Sequence, residues 1–233
     1  EQLTTTVILT GDGFTPAPQQ TLNDKPILVL PSIQLDRTVD LAGSAQSGSF
    51  KIPDDSANPA ASRVTWQSEQ QMSFQVFPEL ALQPGLYDIT VTNPDGEQAA
   101  TFKGGLAAVP RPTITTIEPD IACNDQADQS FTLTGTTLLD VGGTLPVVRV
   151  GDQEFPVSAV SDCIDVPGTH AAGIVQSCTS ATFVVPQATL PPGSYDVTIT
   201  NPAPANCASS DVVKVVIVPP PSVASIAPDL VCN

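Results

Sequence analysis

The stretch "LPPGSYDVTITNP" at Leu190–Pro202 has a near copy, "LQPGLYDITVTNP", at Leu82–Pro94, displaced by 108 residues. A chain that repeats itself at that spacing folds as copies of one unit, each the size of a small domain. Two further anchors agree. "PTITTIEPDIACN" (Pro112–Asn124) is matched by "PSVASIAPDLVCN" (Pro221–Asn233) at a displacement of 109, and "VILTGDGF" (Val7–Phe14) by "FTLTGTTL" (Phe131–Leu138) at 124. Gly11 and Gly85 are 74 residues apart, whereas Gly135 and Gly193 are 58 apart. The first repeat therefore carries sixteen extra residues, which the sequence places within Asp36–Ser62.

These anchors divide the chain. Residues 1–109 form a module that lacks its first strand and has an enlarged middle. Residues 110–218 form a complete module, and residues 219–233 match the first strand of a third. The chain opens without a Met or a signal-peptide pattern and reads as a window on a longer tandem array.

The second repeat shows its strands clearly. "TITTI", "SFTLTG", "VVRVG", "FPVSAV", "SATFVV", "YDVTIT" and "VVKVVIV" alternate or run apolar, and turn residues bound them. No stretch keeps a capped helical period. Aromatics are only 5% of residues, so the cores are built from Val, Ile, Leu and Ala. The expected class is all-β, as tandem immunoglobulin-like β-sandwiches.

In the repeated stretch, Tyr195, Val197 and Ile199 share one strand face, and Asp196, Thr198 and Thr200 the other. Tyr87, Ile89 and Val91 repeat this in the first module. The apolar set should face the core and the polar set water. Gly85 and Gly193 sit in the turn before the strand, where glycine supplies backbone shapes other residues resist. Tyr87 and Tyr195 follow as tyrosine corners, whose hydroxyls tie back to nearby backbone. "NPDG" at Asn93–Gly96 is a turn signal after the strand. The stretch reads as scaffold, with a ligand role for Asn93 or Asp95 as the minor alternative.

Taken in order, "PTITTIEP", "TLTGTTL", "VVRVGDQEFPV" and "LPPGSYDVTITNP" resemble the IPT/TIG family, an immunoglobulin-like fold found in plexins, some transcription factors and many bacterial surface proteins. The resemblance covers the second repeat and both ends of the first. The chain departs from the family's pattern in its enlarged middle and in "NDQADQS", where a glycine pair is usual before "TLTG". The resemblance implies structural and recognition modules rather than an enzyme. Cysteine-bearing tandem copies resemble secreted bacterial, adhesin-like arrays.

Charge and cysteines narrow the class. The net charge is −16, with acids and bases distributed over both repeats. Binding nucleic acid or anionic lipid needs clustered Lys and Arg, so neither is an expected partner. No apolar run reaches spanning length. The five cysteines contain no Cys-x-x-Cys pair and the chain has one histidine, His170, which favours disulfides over zinc and an oxidising compartment outside the cell or in its envelope. Cys163 pairs best with Cys178 across a separation of 15, and Cys123 with Cys207, both expected near one end of the sandwich. Four cysteines allow three connectivities, so this pairing is one of three. Cys232 repeats Cys123 and has its partner in the third repeat.

Asp120, Asp125 and Asp128, with Glu118, gather near the repeat junction, where Asp95 and Glu97 are expected to approach them. They are weak calcium candidates, since that ion takes about six to eight oxygen ligands and no EF-hand spacing is present. A solvated acidic surface is the simpler reading, and no cofactor is expected. His170 lies in a Pro-Gly-Thr loop near Asp162 and Asp165, but no nucleophile-elbow motif accompanies it. Trp66 in "RVTWQS" reads as a semi-buried strand residue. The expected function is non-catalytic: a stalk, spacer or filament-like adhesin whose partners are neighbouring repeats, a cell-surface protein or glycan, or further copies of itself. The alternatives are a specific protein- or glycan-binding module that uses the first-repeat insertion, and an accessory domain of a secreted enzyme.

Overall fold

A computed structural model describes residues 4–20, 26–53, 62–96, 98–123, 125 and 127–227. Glu97 of the acidic group, residues 54–61 of the expected insertion, and Cys232 lie outside the described residues. The chain is all-β, with immunoglobulin-like sheet pairing. It divides into two compact units, Glu1–Pro110 with Asp165–Val175, and Arg111–Ile164 with Gln176–Asn233.

The first unit contains β1 (Thr5–Thr10), β2 (Ala17–Gln20), β3 (Pro26–Val29), β4 (Ser32–Val39), β5 (Ser49–Lys51), β6 (Val64–Ser68), β7 (Gln71–Val76), β8 (Gly85–Thr92) and β9 (Ala99–Ala108). They form a three-stranded sheet, β1-β7-β6, a four-stranded sheet, β5-β4-β8-β9, and a separate β2-β3 hairpin. Between the sheets lie Ile33, Leu35, Ile52, Met72, Phe74, Tyr87 and Ile89, each at most 2% exposed. Trp66 packs beside this core, half-buried, and its indole donates to the Phe14 carbonyl at 2.8 Å.

The second unit contains β10 (Thr113–Glu118), β11 (Ile121–Ala122), β12 (Gln129–Val141), β13 (Val147–Val150), β14 (Gln153–Asp165), β15 (Val175–Val185), β16 (Gly193–Thr200) and β17 (Val213–Ile217). All seven strands read from the sequence are present. β14 and β15 run longer than expected, to 13 and 11 residues. The strands form one continuous order, β10-β12-β15-β14-β13-β16-β17-β11. β14 pairs with β13 through Gln153–Pro156 and also borders β15, which carries the sheet from one layer into the other. Alternation places the core: Val148, Val150, Val197 and Ile199 are buried while Val147, Arg149 and Thr200 face outward. Phe131 stacks on Phe183 at 5.4 Å within it.

Cys163 and Cys178 are bonded, joining β14 to β15 with their Cα atoms 3.9 Å apart. Closing a loop of that length restricts the unfolded chain by roughly 3 kcal/mol in the chain-entropy account. Cys123 and Cys207 are not joined; both thiols are free. The expectation that they share one end of the sandwich fails on strand direction. Ala122 lies opposite Ile217, and Ile217 opposite Gly193, so Cys123 stands at the Gly193 end of β16. Cys207 accepts from the Asn201 amide, beyond the other end. Eight residues of extended chain separate the two levels, about 26 Å, and a disulfide needs Cα atoms within about 7 Å.

The extra residues of the first repeat are also placed differently. Ile33 of β4 faces Val91, and Val148 of β13 faces Ile199, so Ile33 and Val148 are equivalent. Gly11 precedes Ile33 by 22 residues, but Gly135 precedes Val148 by 13. Nine of the sixteen extra residues thus come before β4, in the interval of the β2-β3 hairpin, and seven after it. The sequence showed the surplus only between distant glycines. Cross-strand register divides it.

The two corner glycines are not equivalent. Gly85 has a φ of 151°, and a Cβ there would lie 2.3 Å from the Val39 carbonyl oxygen. On Gly193 the nearest atoms would be the Tyr195 ring and hydroxyl at 3.5 Å, ordinary contacts. Gly85→Ala should destabilise the first unit by more than about 2 kcal/mol, whereas Gly193→Ala should stay within about 0.5 kcal/mol for the second. Denaturant midpoints of the two variants check the contrast.

Candidate functional site

The repeated stretch is the natural candidate, and in both copies its tyrosine, aspartate and asparagine side chains have partners within their own module. Tyr87, fully buried, donates its hydroxyl to the Gln83 carbonyl at 2.7 Å, and Tyr195 donates to Pro191 at the same distance. Burial pushes the Tyr87 phenol up, with the Arg37 charge and the Gln83 bond opposing. The next residue is an ion-pair partner in both copies. Asp88 takes Lys103 at 2.6 Å, and Asp196 takes Lys214 at 2.6 Å.

Asp196 is exposed as expected, but Asp88 keeps only 10% of its side chain accessible. The cause is β9, whose register shifts opposite Tyr87–Ile89, so that the Gly104 amide donates to Asp88 at 2.8 Å. Burial alone would raise the Asp88 carboxyl. The Lys103 and Gly104 hydrogen bonds and the Lys103 charge outweigh it and hold the group below its ordinary value.

The asparagine closing the stretch makes the same contact twice. Asn201 is 1% exposed; its Nδ2 donates to the Thr137 carbonyl at 2.8 Å and its Oδ1 accepts the Leu139 amide at 3.0 Å. Asn93 donates to Gly13 at 2.9 Å and accepts from Thr15 at 3.2 Å. Gly13 and Thr137 correspond at the 124-residue displacement, and both have positive φ, 79° and 57°. Each asparagine thus pins a left-handed kink just past the "LTG" step. The asparagine backbone amide closes the next turn, donating to the Gln98 carbonyl in one repeat and to the Cys207 carbonyl in the other, each at 2.9 Å.

The remaining candidates are dispersed. Asp128 accepts the Gln187 amide at 2.8 Å, and the Asp125 carbonyl accepts the Gln187 side chain at 2.9 Å, so this pair fastens the loop before β12 to the turn after β15. Asp120 offers its carbonyl to Val216. Among the described residues no group of three or more His, Cys, Asp or Glu is placed to hold a metal ion. His170 sits 3.3 Å from the Val166 carbonyl of its own loop. Burial pushes the Cys207 thiol up, with Arg111 opposing, so it stays protonated near neutral pH and is a poor nucleophile.

One recess was not legible in the sequence. It measures about 600 Å³ in the first unit, and Val29, Leu30, Lys51, Ile52, Pro53 and Pro94 line most of it. The ends of β3, β4, β5 and β8 meet there, so the repeat-specific hairpin supplies one wall. Among the described residues the lining is mainly apolar, with the Lys51 ammonium beside it.

No family model matches the chain, and no curated protein matches it. Among solved structures it is similar to the crystal structure of Dpr2 Ig1-Ig2 in complex with DIP-Theta Ig1-Ig3, at 13% identity over 91% of this chain and 97% of that one, with a TM-score of 0.24. A likeness that loose carries no argument about function.

Asn201→Ala strands a buried amide and a buried carbonyl, and should cost the second unit about 2–4 kcal/mol. Asn93→Ala should cost the first unit a similar or smaller amount, which Trp66 fluorescence reports, since Trp66 is the one tryptophan. A carboxyl held below its ordinary 3.8 contributes stability above that pH and loses it as pH falls through and below that value. Asp88→Asn should therefore lower first-unit stability at pH 7 by about 0.5–1 kcal/mol and flatten its decline below about pH 4.

Proposed function

We infer that the chain is a pair of non-catalytic immunoglobulin-like modules of the IPT/TIG type, serving as spacer or adhesive repeats in an extracellular or cell-envelope protein. The observation that carries this reading is the inward use of the repeated side chains. Tyrosine, aspartate and asparagine recur in both modules, and in both they bind their own module's backbone or a neighbouring lysine. A conserved binding site would leave such groups turned outward. The disulfide fits an oxidising compartment. Among the described residues no helix is long and apolar enough to cross a membrane. The acidic surface repels neighbouring modules of the same kind and keeps an array soluble.

A spacer must resist extension module by module. Pulled from its two ends, the chain should give two unfolding events. Reduction of Cys163–Cys178 should lengthen one of them by the fourteen enclosed residues, about 5 nm. Smooth extension without discrete events would contradict the reading.

The recess favours a second reading, a specific protein- or glycan-binding module. Replacing the β2-β3 hairpin by the short "GGTLP" connection of the second repeat (Gly142–Pro146) separates the two. Adhesion to cells that is lost while melting is unchanged supports ligand binding at the recess, and retained adhesion supports the spacer.

A further inference from the structure

Residues 165–175 belong by sequence to the second repeat, where they join β14 to β15, yet they pack into the first unit. The point of contact is Gly168. A Cβ there would lie 2.7 Å from the Leu86 Cδ1 atom of β8 and 3.6 Å from the Gly104 carbonyl oxygen of β9, so the loop backbone lies against both strands. The Gly168 φ of 114° is open to glycine and resisted by other residues. Val166, two residues earlier, is 6% exposed although it belongs to neither core.

The surface that receives the loop departs from its counterpart in the second unit at two places. Leu86 and Ser194 occupy the same position of the repeated stretch, on the strand face opposite the corner tyrosine. Leu86 is half-buried and stands outside the first core, and Ser194 is exposed. The neighbouring strands differ as well. From Tyr87–Leu106 to Ile89–Phe102 the pairing spends four residues of β9 on two of β8, whereas from Tyr195–Val215 to Val197–Val213 it spends two on two. Gly104 and Gly105 stand between Lys103 and Leu106, while Lys214 and Val215 are adjacent. An apolar side chain in place of a serine, and an added pair of glycines, both fall where Gly168 packs.

The loop is also held at its base. Cys163–Cys178 closes the hairpin two residues before Asp165 and three after Val175, and the Val166 amide donates to the Val175 carbonyl at 2.8 Å just beyond it. A loop closed in this way has fewer conformations to lose when it docks. We propose that the 165–175 loop is a latch on the outer face of β8 and β9, received by Leu86 and the Gly104–Gly105 bulge, and that the Cys163–Cys178 bond sets its strength. Residues 1–110 contain no cysteine, yet the first unit gains stability from a disulfide of the second repeat. The latch holds whether the modules act as spacers or bind a ligand.

Denaturant unfolding of the full chain, followed by the fluorescence of Trp66 in the first unit, tests this with and without dithiothreitol. The reagent converts the bond to two thiols and is itself oxidised to a cyclic disulfide; alkylation and mass measurement verify the conversion. Reduction should raise the equilibrium constant for unfolding the first unit by roughly five- to thirtyfold. Leu86→Ser, which installs the residue of the second repeat, should raise it comparably and remove most of the response to reduction. Such non-additivity marks two changes that act through one contact. Gly168→Val, made in the loop and leaving β8 untouched, should reproduce the effect and covers the case in which the Leu86 variant fails to fold. A response to dithiothreitol that survives both substitutions overturns the proposal. So does an unfolding constant for the first unit that is the same before and after complete reduction.

Discussion

Each module depends on one side chain that reaches from the end of one strand to the kink of another. Asn93 and Asn201 are buried, and each supplies one donor and one acceptor to backbone that no sheet ladder satisfies. In the first unit Gly13 and Thr15 are exposed and the contact is half-buried. In the second unit the left-handed kink is buried, with Thr137 and Leu139 8% and 1% exposed, and its amide and carbonyl have no solvent to bond. Unpaired, each would cost about 1–3 kcal/mol. In the first unit the contact runs from the four-stranded sheet to the segment leaving the three-stranded one, so the asparagine fixes the approach of the two layers. On the same strand, the tyrosine hydroxyl anchors the beginning and an aspartate–lysine pair ties the middle to its neighbour. With that strand held along its length, the alternating Val and Ile residues meet a core of fixed width.

The rest of the module is free to vary, and the two repeats show how. The kink residue is glycine in one and threonine in the other. One repeat has a disulfide across its long hairpin, and the other has a two-stranded hairpin before β4. The asparagine contact persists through all of them, because it reaches the kink residue's backbone carbonyl and not its side chain.

What the sequence made legible was what depends on local pattern. Strand positions followed from alternation, the tyrosine corners from a turn followed by an aromatic, and Cys163–Cys178 from two strands flanking one loop. What it missed depends on the relative direction and register of strands distant in sequence. Cys123 and Cys207 looked close because both lie near strand ends, but the pairing of β16, β17 and β11 puts them at opposite ends. The surplus of the first repeat looked like one insertion until Ile33 and Val148 were aligned through their shared partner strand. Asp88 was read as wet from its face of the strand, and a shift in β9 covered it. The asparagine had a signal in hindsight: an invariant "TNP" after both core strands, where a turn alone would accept Asp or Gly equally well.

These asparagines hold the modules together, and hydrogen exchange at two backbone amides reports on them directly. The Thr15 and Leu139 amides each donate to an asparagine side chain. If the clamp is as integral as the geometry says, both amides exchange only when their whole module unfolds, with the same denaturant dependence as the central strands. Exchange of either amide at the rate of an open loop, while β8 or β16 stays protected, would contradict it.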